Sequence, residues 1–184
     1  ATGEQSGTWG TTTNTNFDLI DTAVNGIVSI TLASAGTSGS PNDLPITDGT
    51  ASNGRNKFIE FTDGGDLGAT AYVQLTPNDA EKIVHIRNSL SGSRSIIVFQ
   101  GTYNASNDFE IPNGADVTLK FDGAGTGATV TDVNVDLTVT GVTATSTASF
   151  SGATIDDLGT VTTADINGGT IDGTSIGASS PSTG

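Results

Sequence analysis

Between Lys57 and Asp122 apolar residues return at every second position, and this constrains the chain more than any other feature. Ala69, Ala71, Val73 and Leu75 alternate with Thr70, Tyr72, Gln74 and Thr76. Val117, Leu119 and Phe121 alternate in the same way with Thr118, Lys120 and Asp122. A period of two puts one set on the buried face of a strand and the other toward solvent. Segments 27–32, 58–61, 83–87 and 95–100 predict further strands, the first with Val28, Ile30 and Leu32 on one face. Ile96, Ile97, Val98 and Phe99 are apolar on both faces, which predicts a central strand. Turn-forming residues at 63–66, 76–79, 91–93 and 112–114 separate these strands. Short strands at this spacing predict an antiparallel β-sandwich or barrel over 27–123.

Residues 34–56 interrupt the pattern with Ser, Gly, Asn, Asp, Thr and Pro. A polar connection this long in a compact domain is generally functional or flexible. Leu44, Pro45 and Ile46 predict one short edge strand within it.

Residues 1–26 form a separate N-terminal segment. Asn14 and Asn16 suit a helix N-cap, because an Asn side chain accepts from the orphan N–H groups of a first turn. Phe17, Ile20 and Val24 follow at spacings of three and four, and so share one side of a short helix. Asp18 suits the first turn and Gly26 a left-handed stop. The threonines and asparagines of 11–15 predict an extended stretch that leaves Trp9, the only tryptophan, free of the helix. A helix this short cannot stand alone in water. Its stripe either caps the adjacent β-domain or docks on a partner.

Beyond Gly123 the character changes: Val133, Val135, Leu137 and Val139 keep the alternation, and Gly141 breaks its phase. The apolar residues then thin out to Val142, Phe150, Ile155, Leu158, Val161, Ile166, Ile171 and Ile176 among Thr, Ser, Gly and Ala. The pentapeptide at 152–156 returns at 168–172 as Gly-Gly-Thr-Ile-Asp, a period of sixteen. One chain so sparse in apolar residues cannot offset the entropy of ordering itself. Composition alone therefore reads 124–184 as a disordered acidic tail. Three identical chains with Ile155, Ile166, Ile171 and Ile176 at a common axis could instead form a stalk.

The charge distribution narrows the choice of partner. Net charge is −14, and all six basic residues lie between Arg55 and Lys120. The first 54 residues hold five acids and the last 64 hold seven, with no base in either. Such flanks repel phosphate backbones and anionic lipid, so neither nucleic acid nor membrane is an expected partner. Cysteine is absent, which rules out disulfides and thiolate metal sites. The chain lacks an initial Met, and the expectation is a fragment of something longer.

Two stretches carry a family resemblance. Trp9-Gly10, a Thr/Asn linker, then Asn16-Phe17-Asp18-Leu19-Ile20-Asp21 resembles a segment near the N-terminus of many bacteriophage tail-fibre proteins, whose N-terminal part usually attaches the fibre to the virion. The stretch 164–184, with Gly-Gly-Thr-Ile-Asp-Gly-Thr-Ser-Ile-Gly at 168–177, is similar to a segment recurring in phage fibre and structural proteins. Together they cover roughly a fifth of the chain. The resemblance implies a virion-docking role for Trp9, Asn14, Asn16, Phe17, Ile20 and Val24. With the sixteen-residue repeat, it turns the reading of 124–184 from a tail to a trimeric stalk.

Catalytic chemistry is poorly supplied. The single histidine, His85, sits on a strand whose Val84 and Ile86 point the other way, as a surface or interface residue would. No nucleophile elbow accompanies it. The carboxylate pairs Asp63/Asp66 and Asp156/Asp157 lie among glycines and read as turns rather than a glycosidase dyad. Asp43, Asp48 and Asn53, or Asp63 and Asp66, suit calcium by residue type but not by spacing, and the glycines of 123–127 lack the lysine and helix of a phosphate loop. No cofactor, metal site or catalytic residue is expected.

The expected fold is all-β: a short N-terminal helix, an antiparallel sandwich or barrel, and a thin β-stranded trimeric stalk. The expected function is a non-enzymatic structural component of a phage tail fibre in the virion. It would form a homotrimer, join other tail proteins at its N-terminal end, and support host adsorption through a distal receptor-binding region outside this chain. The alternatives are a capsid-decorating or head-fibre protein, and a bacterial adhesin or carbohydrate-binding module using the 34–56 loop. That loop holds no aromatic ring for a sugar to stack on.

Overall fold

From its first strand to its sixth, the chain crosses between two sheets at every step. The computed structural model describes residues 7–134; the expected stalk residues Ile155, Ile166, Ile171 and Ile176 lie outside them. The helix α1 (Trp9–Asn25) leads into β1 (Ile27–Leu32), β2 (Asn42–Pro45), β3 (Phe58–Asp63), β4 (Ala71–Thr76) and β5 (Glu81–Asn88). Then come β6 (Ile96–Gln100), β7 (Phe109–Ile111), β8 (Asp116–Asp122) and β9 (Val130–Asp132). One sheet has the order β1-β3-β5-β8-β9 and the other β2-β4-β6-β7. The fold is therefore mainly β with one helix, not strictly all-β.

Each of β3 to β6 pairs in parallel with the strand two before it. Ile27 stands opposite Phe58 and Phe58 opposite His85 in one sheet, and Ala71 opposite Ile96 in the other. The path is a coil of three rungs, after which β7, β8 and β9 add antiparallel to β6, β5 and β8. This corrects the expected antiparallel arrangement: the sheets are mixed, and parallel pairs wind the first six strands. Alternation reports which face of a strand is buried, not the direction of its neighbour. The turns at 63–66, 76–79, 91–93 and 112–114 all carry the chain across to the opposite sheet instead of closing hairpins.

The inward sets are those the alternation marks, except that Ala69 is exposed and precedes β4. Leu32, Ile59, Phe61, Ala71, Val73, Leu75, Val84, Ile86, Leu119 and Phe121 join one core drawn from both sheets. Ile96 and Val98 of β6, an interior strand, complete its centre. Leu44 is buried on β2, the edge strand expected inside the polar connection. The Asn42 amide donates to the Ser34, Ala35 and Tyr72 carbonyls, which fixes the start of that connection on the sheet.

Two buried amides close the coil. Asn88 Nδ2 donates to the Arg94 and Ile111 carbonyls while its Oδ1 accepts from the Leu90 N–H. Gln100 Nε2 donates to the Pro77 and Ala80 carbonyls and its Oε1 accepts from the Gly123 N–H. A buried amide must be paired in this way, because an unpaired one costs about 1–3 kcal/mol. The boundary expected at Gly123 also moves. Val130 of β9 is buried and stands opposite Phe121, so the β-domain extends at least through Asp132.

Candidate functional site

The N-terminal helix is longer than its apolar stripe and begins where an extended linker was expected. It runs seventeen residues from Trp9, with Thr8 in the N-cap position making no side-chain cap bond. Asn14 and Asn16 are therefore exposed interior residues of α1, not caps. The threonines do not break the helix because their hydroxyls bond backward within it. Thr12 Oγ1 donates to the Thr8 carbonyl and Thr22 Oγ1 to the Asp18 carbonyl. Gly26 ends the helix in an extended conformation, φ −62° and ψ 135°, rather than a left-handed one. Glycine is required there for space, since a Cβ would meet the Thr22 carbonyl oxygen and Asn56 Oδ1.

At 100° per residue, Trp9, Phe17, Ile20 and Val24 fall within an arc of roughly 80° on one side of α1. They are 70%, 63%, 58% and 53% exposed. Leu19 is the residue that faces the domain; it is the one buried residue of the helix. Half-buried Thr12 and Thr22 lie on its side. The expected stripe is thus real, but it does not cap the β-domain. It is turned away from the domain and is joined beyond the helix by exposed Ile27. Leu19 carried no periodic signal of its own, since its helical neighbours on that side are threonines.

Three of the polar candidates, Asp43, Asp63 and Asp66, are hydrogen-bonded within the fold. Asp63 accepts from the N–H and hydroxyl of Ser91. Asp66 takes a two-pronged pair from Arg94, at 2.7 and 2.9 Å, and a bond from the Gly68 N–H. The hydrogen bonds from Arg94 and Gly68 hold the Asp66 carboxyl at about 2, below its ordinary 3.8. Asp43 accepts from the Thr76 hydroxyl at 2.6 Å. Among the described residues no cluster of three His, Asp or Glu could hold a metal ion.

His85 stacks on Phe58 with ring centroids 5.2 Å apart. Its Nδ1 lies 3.0 Å from Thr118 Oγ1 and its Nε2 lies 3.6 Å from Asp116. The stack places it on the outer face of the five-stranded sheet, in one row with Ile27, Phe58 and Thr118. Half-buried Lys82 donates to the Arg55 carbonyl. Burial, and then the charge of Arg55, pushes its ammonium pKa down. Asp156 and Asp157 lie outside the described residues, and among the described residues no helix is long and apolar enough to cross a membrane.

No family model matches the chain, and comparisons with curated proteins and with solved structures return no match.

Proposed function

We propose that this chain is a structural, non-catalytic component of a bacteriophage tail fibre, the part that joins the fibre to the virion and supports host adsorption. The observation that carries the reading is the apolar stripe of α1, led by Trp9 and turned away from its own domain. An exposed tryptophan with three large aliphatic and aromatic neighbours is surface that a partner covers; such anchors dominate interface energetics. The Trp-Gly and Asn-Phe-Asp-Leu-Ile-Asp residues that resemble fibre attachment segments include Trp9, Phe17 and Ile20 of the stripe.

In this reading the β-domain is a sandwich of its two sheets, and the chain beyond it, which the sequence pattern began at 124, is a thin homotrimeric stalk with Ile155, Ile166, Ile171 and Ile176 at its axis. The hydrogen bonds of Asp63, Asp66 and His85 fit scaffolding roles rather than turnover. Antibody labelling of intact particles under the electron microscope tests the assignment. Label at the tail, where a fibre leaves it, is the expected result. Label on the capsid would replace the tail fibre with a head fibre, and no labelled particle would overturn the virion reading.

A further inference from the structure

The two sheets end in the edge strands β1 and β9, β2 and β7, and three of these are guarded. β2 carries Asp43 and also Pro45, which has no N–H to offer. Gly54 packs so close to the Leu44 and Pro45 carbonyls that a Cβ there would meet them. β7 and β9 are three residues long and carry Glu110 and Asp132. Short length, proline, charge and a covering loop are the devices that stop an edge from pairing with another chain. β1 has none of them. It runs six residues, Ile27–Leu32, mostly β-branched, with no charge, no proline and no glycine.

The backbone of β1 faces two ways. The Phe58 N–H donates to the Gly26 carbonyl. From that start a parallel ladder uses both backbone groups of Val28 and Ile30, and then the Leu32 N–H. The N–H and C=O groups of Ile27, Ser29 and Thr31 point off the sheet. Among the described residues none of them has a hydrogen-bond partner. The inward side chains agree: Val28 and Ile30 stay half-buried, whereas Ile59 and Phe61 on the next strand are fully enclosed. The coil begins on a rung that lacks a neighbour for its backbone and for its side chains.

We propose that β1 accepts a strand: an extended segment of the virion protein that receives α1 adds to this edge as a sixth strand of the sheet. A row of N–H and C=O groups at this spacing is matched by another strand. Its chemistry follows from the edge. Alternate residues are apolar, to continue the layer of Val28, Ile30 and Leu32. The others are small or hydroxylated, beside Ser29 and Thr31. Acids are disfavoured, because the first 54 residues here hold five acids and no base. Exposed Val24 closes the α1 stripe just before exposed Ile27 opens β1, so stripe and edge follow one another along the chain. A second copy is the poorer occupant. β1 against β1 closes a two-fold pair and leaves the third chain of a trimer unpaired. The identity of the partner rests on the fibre reading; the open edge does not.

Ser29→Pro tests the edge, since it removes an N–H that the domain's own ladder does not use, a place where edge strands tolerate proline. Asp48→Pro is the control, in an exposed turn closed by the Thr50 N–H on the Thr47 carbonyl. Particles are assembled with each variant and with the unaltered chain. Incorporation is read by quantitative immunoblot, beside the melting temperature of each free chain. Ser29→Pro is expected to melt like the unaltered chain and be incorporated about tenfold less, because an acceptor on the added strand is left unpaired. Asp48→Pro is expected at the unaltered level. Full incorporation of Ser29→Pro would overturn the edge while leaving attachment through Trp9 standing. Equal loss of Asp48→Pro would trace the effect to proline itself and overturn it too. Absence of the unaltered chain from particles would instead be the failure of the fibre reading, and of the partner named here. If Ser29→Pro melts early, hydrogen exchange on the unaltered chain decides. The Ile27, Ser29 and Thr31 amides should exchange fast in the free chain and slowly in virions. No slowing in virions would overturn the proposal, and so would slowing in the free chain that grows with concentration, the mark of a second copy.

Discussion

Leu19 and Ile20 are neighbours in sequence and opposites in the structure: Leu19 is 8% exposed against the domain, Ile20 58% exposed to solvent. One tethers the helix and the other presents it. Leu19→Ala should release α1 at a cost of about 2 kcal/mol, the low end for deleting a buried leucine. Ile20→Ala should leave the domain's own stability within about 0.5 kcal/mol, as for an exposed site. Hydrogen exchange on dilute protein checks this. Leu19→Ala should strip protection from the α1 amides while the β5 and β8 amides keep theirs.

Asn88 is the buried polar group on which most depends. Its side chain satisfies two carbonyls and one N–H from three segments. Asn88→Ala strands all three, and should cost about 2–4 kcal/mol through buried groups left unpaired. The drop is read from the urea midpoint at constant slope.

Acid should weaken the fold through its carboxylates. Asp66, held at about 2 against an ordinary 3.8, favours the folded state when ionised. Its contribution is complete above about pH 4 and is lost as pH falls toward about 2. Asp122 acts in the same sense, its pKa lowered first by the Thr129 hydroxyl and then by the Thr129 N–H. Asp66→Asn should therefore lower stability at neutral pH and flatten the acid limb of the stability profile. An acid limb as steep as in the unaltered chain would contradict the assignment.

Gly101 has φ +70°, and a Cβ there would meet the carbonyl oxygens of Gly125 and Thr126. Gly101→Ala combines a left-handed backbone with a backbone clash, and should cost more than the roughly 1 kcal/mol of the conformation alone. Gly49, at φ +64° with open space around its Cβ position, should show only the conformational part. Thermal melts of the two variants side by side test the difference.

Much of the fold is legible in the alternating residues. Val73 and Leu75, or Leu119 and Phe121, mark their buried faces directly, and the doubly apolar run at Ile96 marks an interior strand. What alternation cannot carry is connectivity. Phe58 finds Ile27 and His85 on either side because turns lead the chain across the core, and nothing in a turn's Gly or Pro states which sheet receives the next strand. The three-residue strands at Phe109 and Val130 are too short for a period to show. In the site, the stripe of Phe17, Ile20 and Val24 was visible from spacing alone. The helical state of 11–15 was not, because threonine's backward hydrogen bond to a carbonyl looks in sequence like its competing one. The burial of Asn88 and Gln100 was also hidden, since polarity points outward until partners are known.

The attachment role of the stripe is tested most directly by assembling particles with Trp9→Ala. Burying a large aromatic side chain contributes roughly 1.5–3 kcal/mol, and Trp9 touches little of its own domain at 70% exposure. The variant should fold, melt and associate like the unaltered chain, yet be missing from purified virions by quantitative immunoblot. Incorporation of Trp9→Ala at the unaltered level would contradict the account.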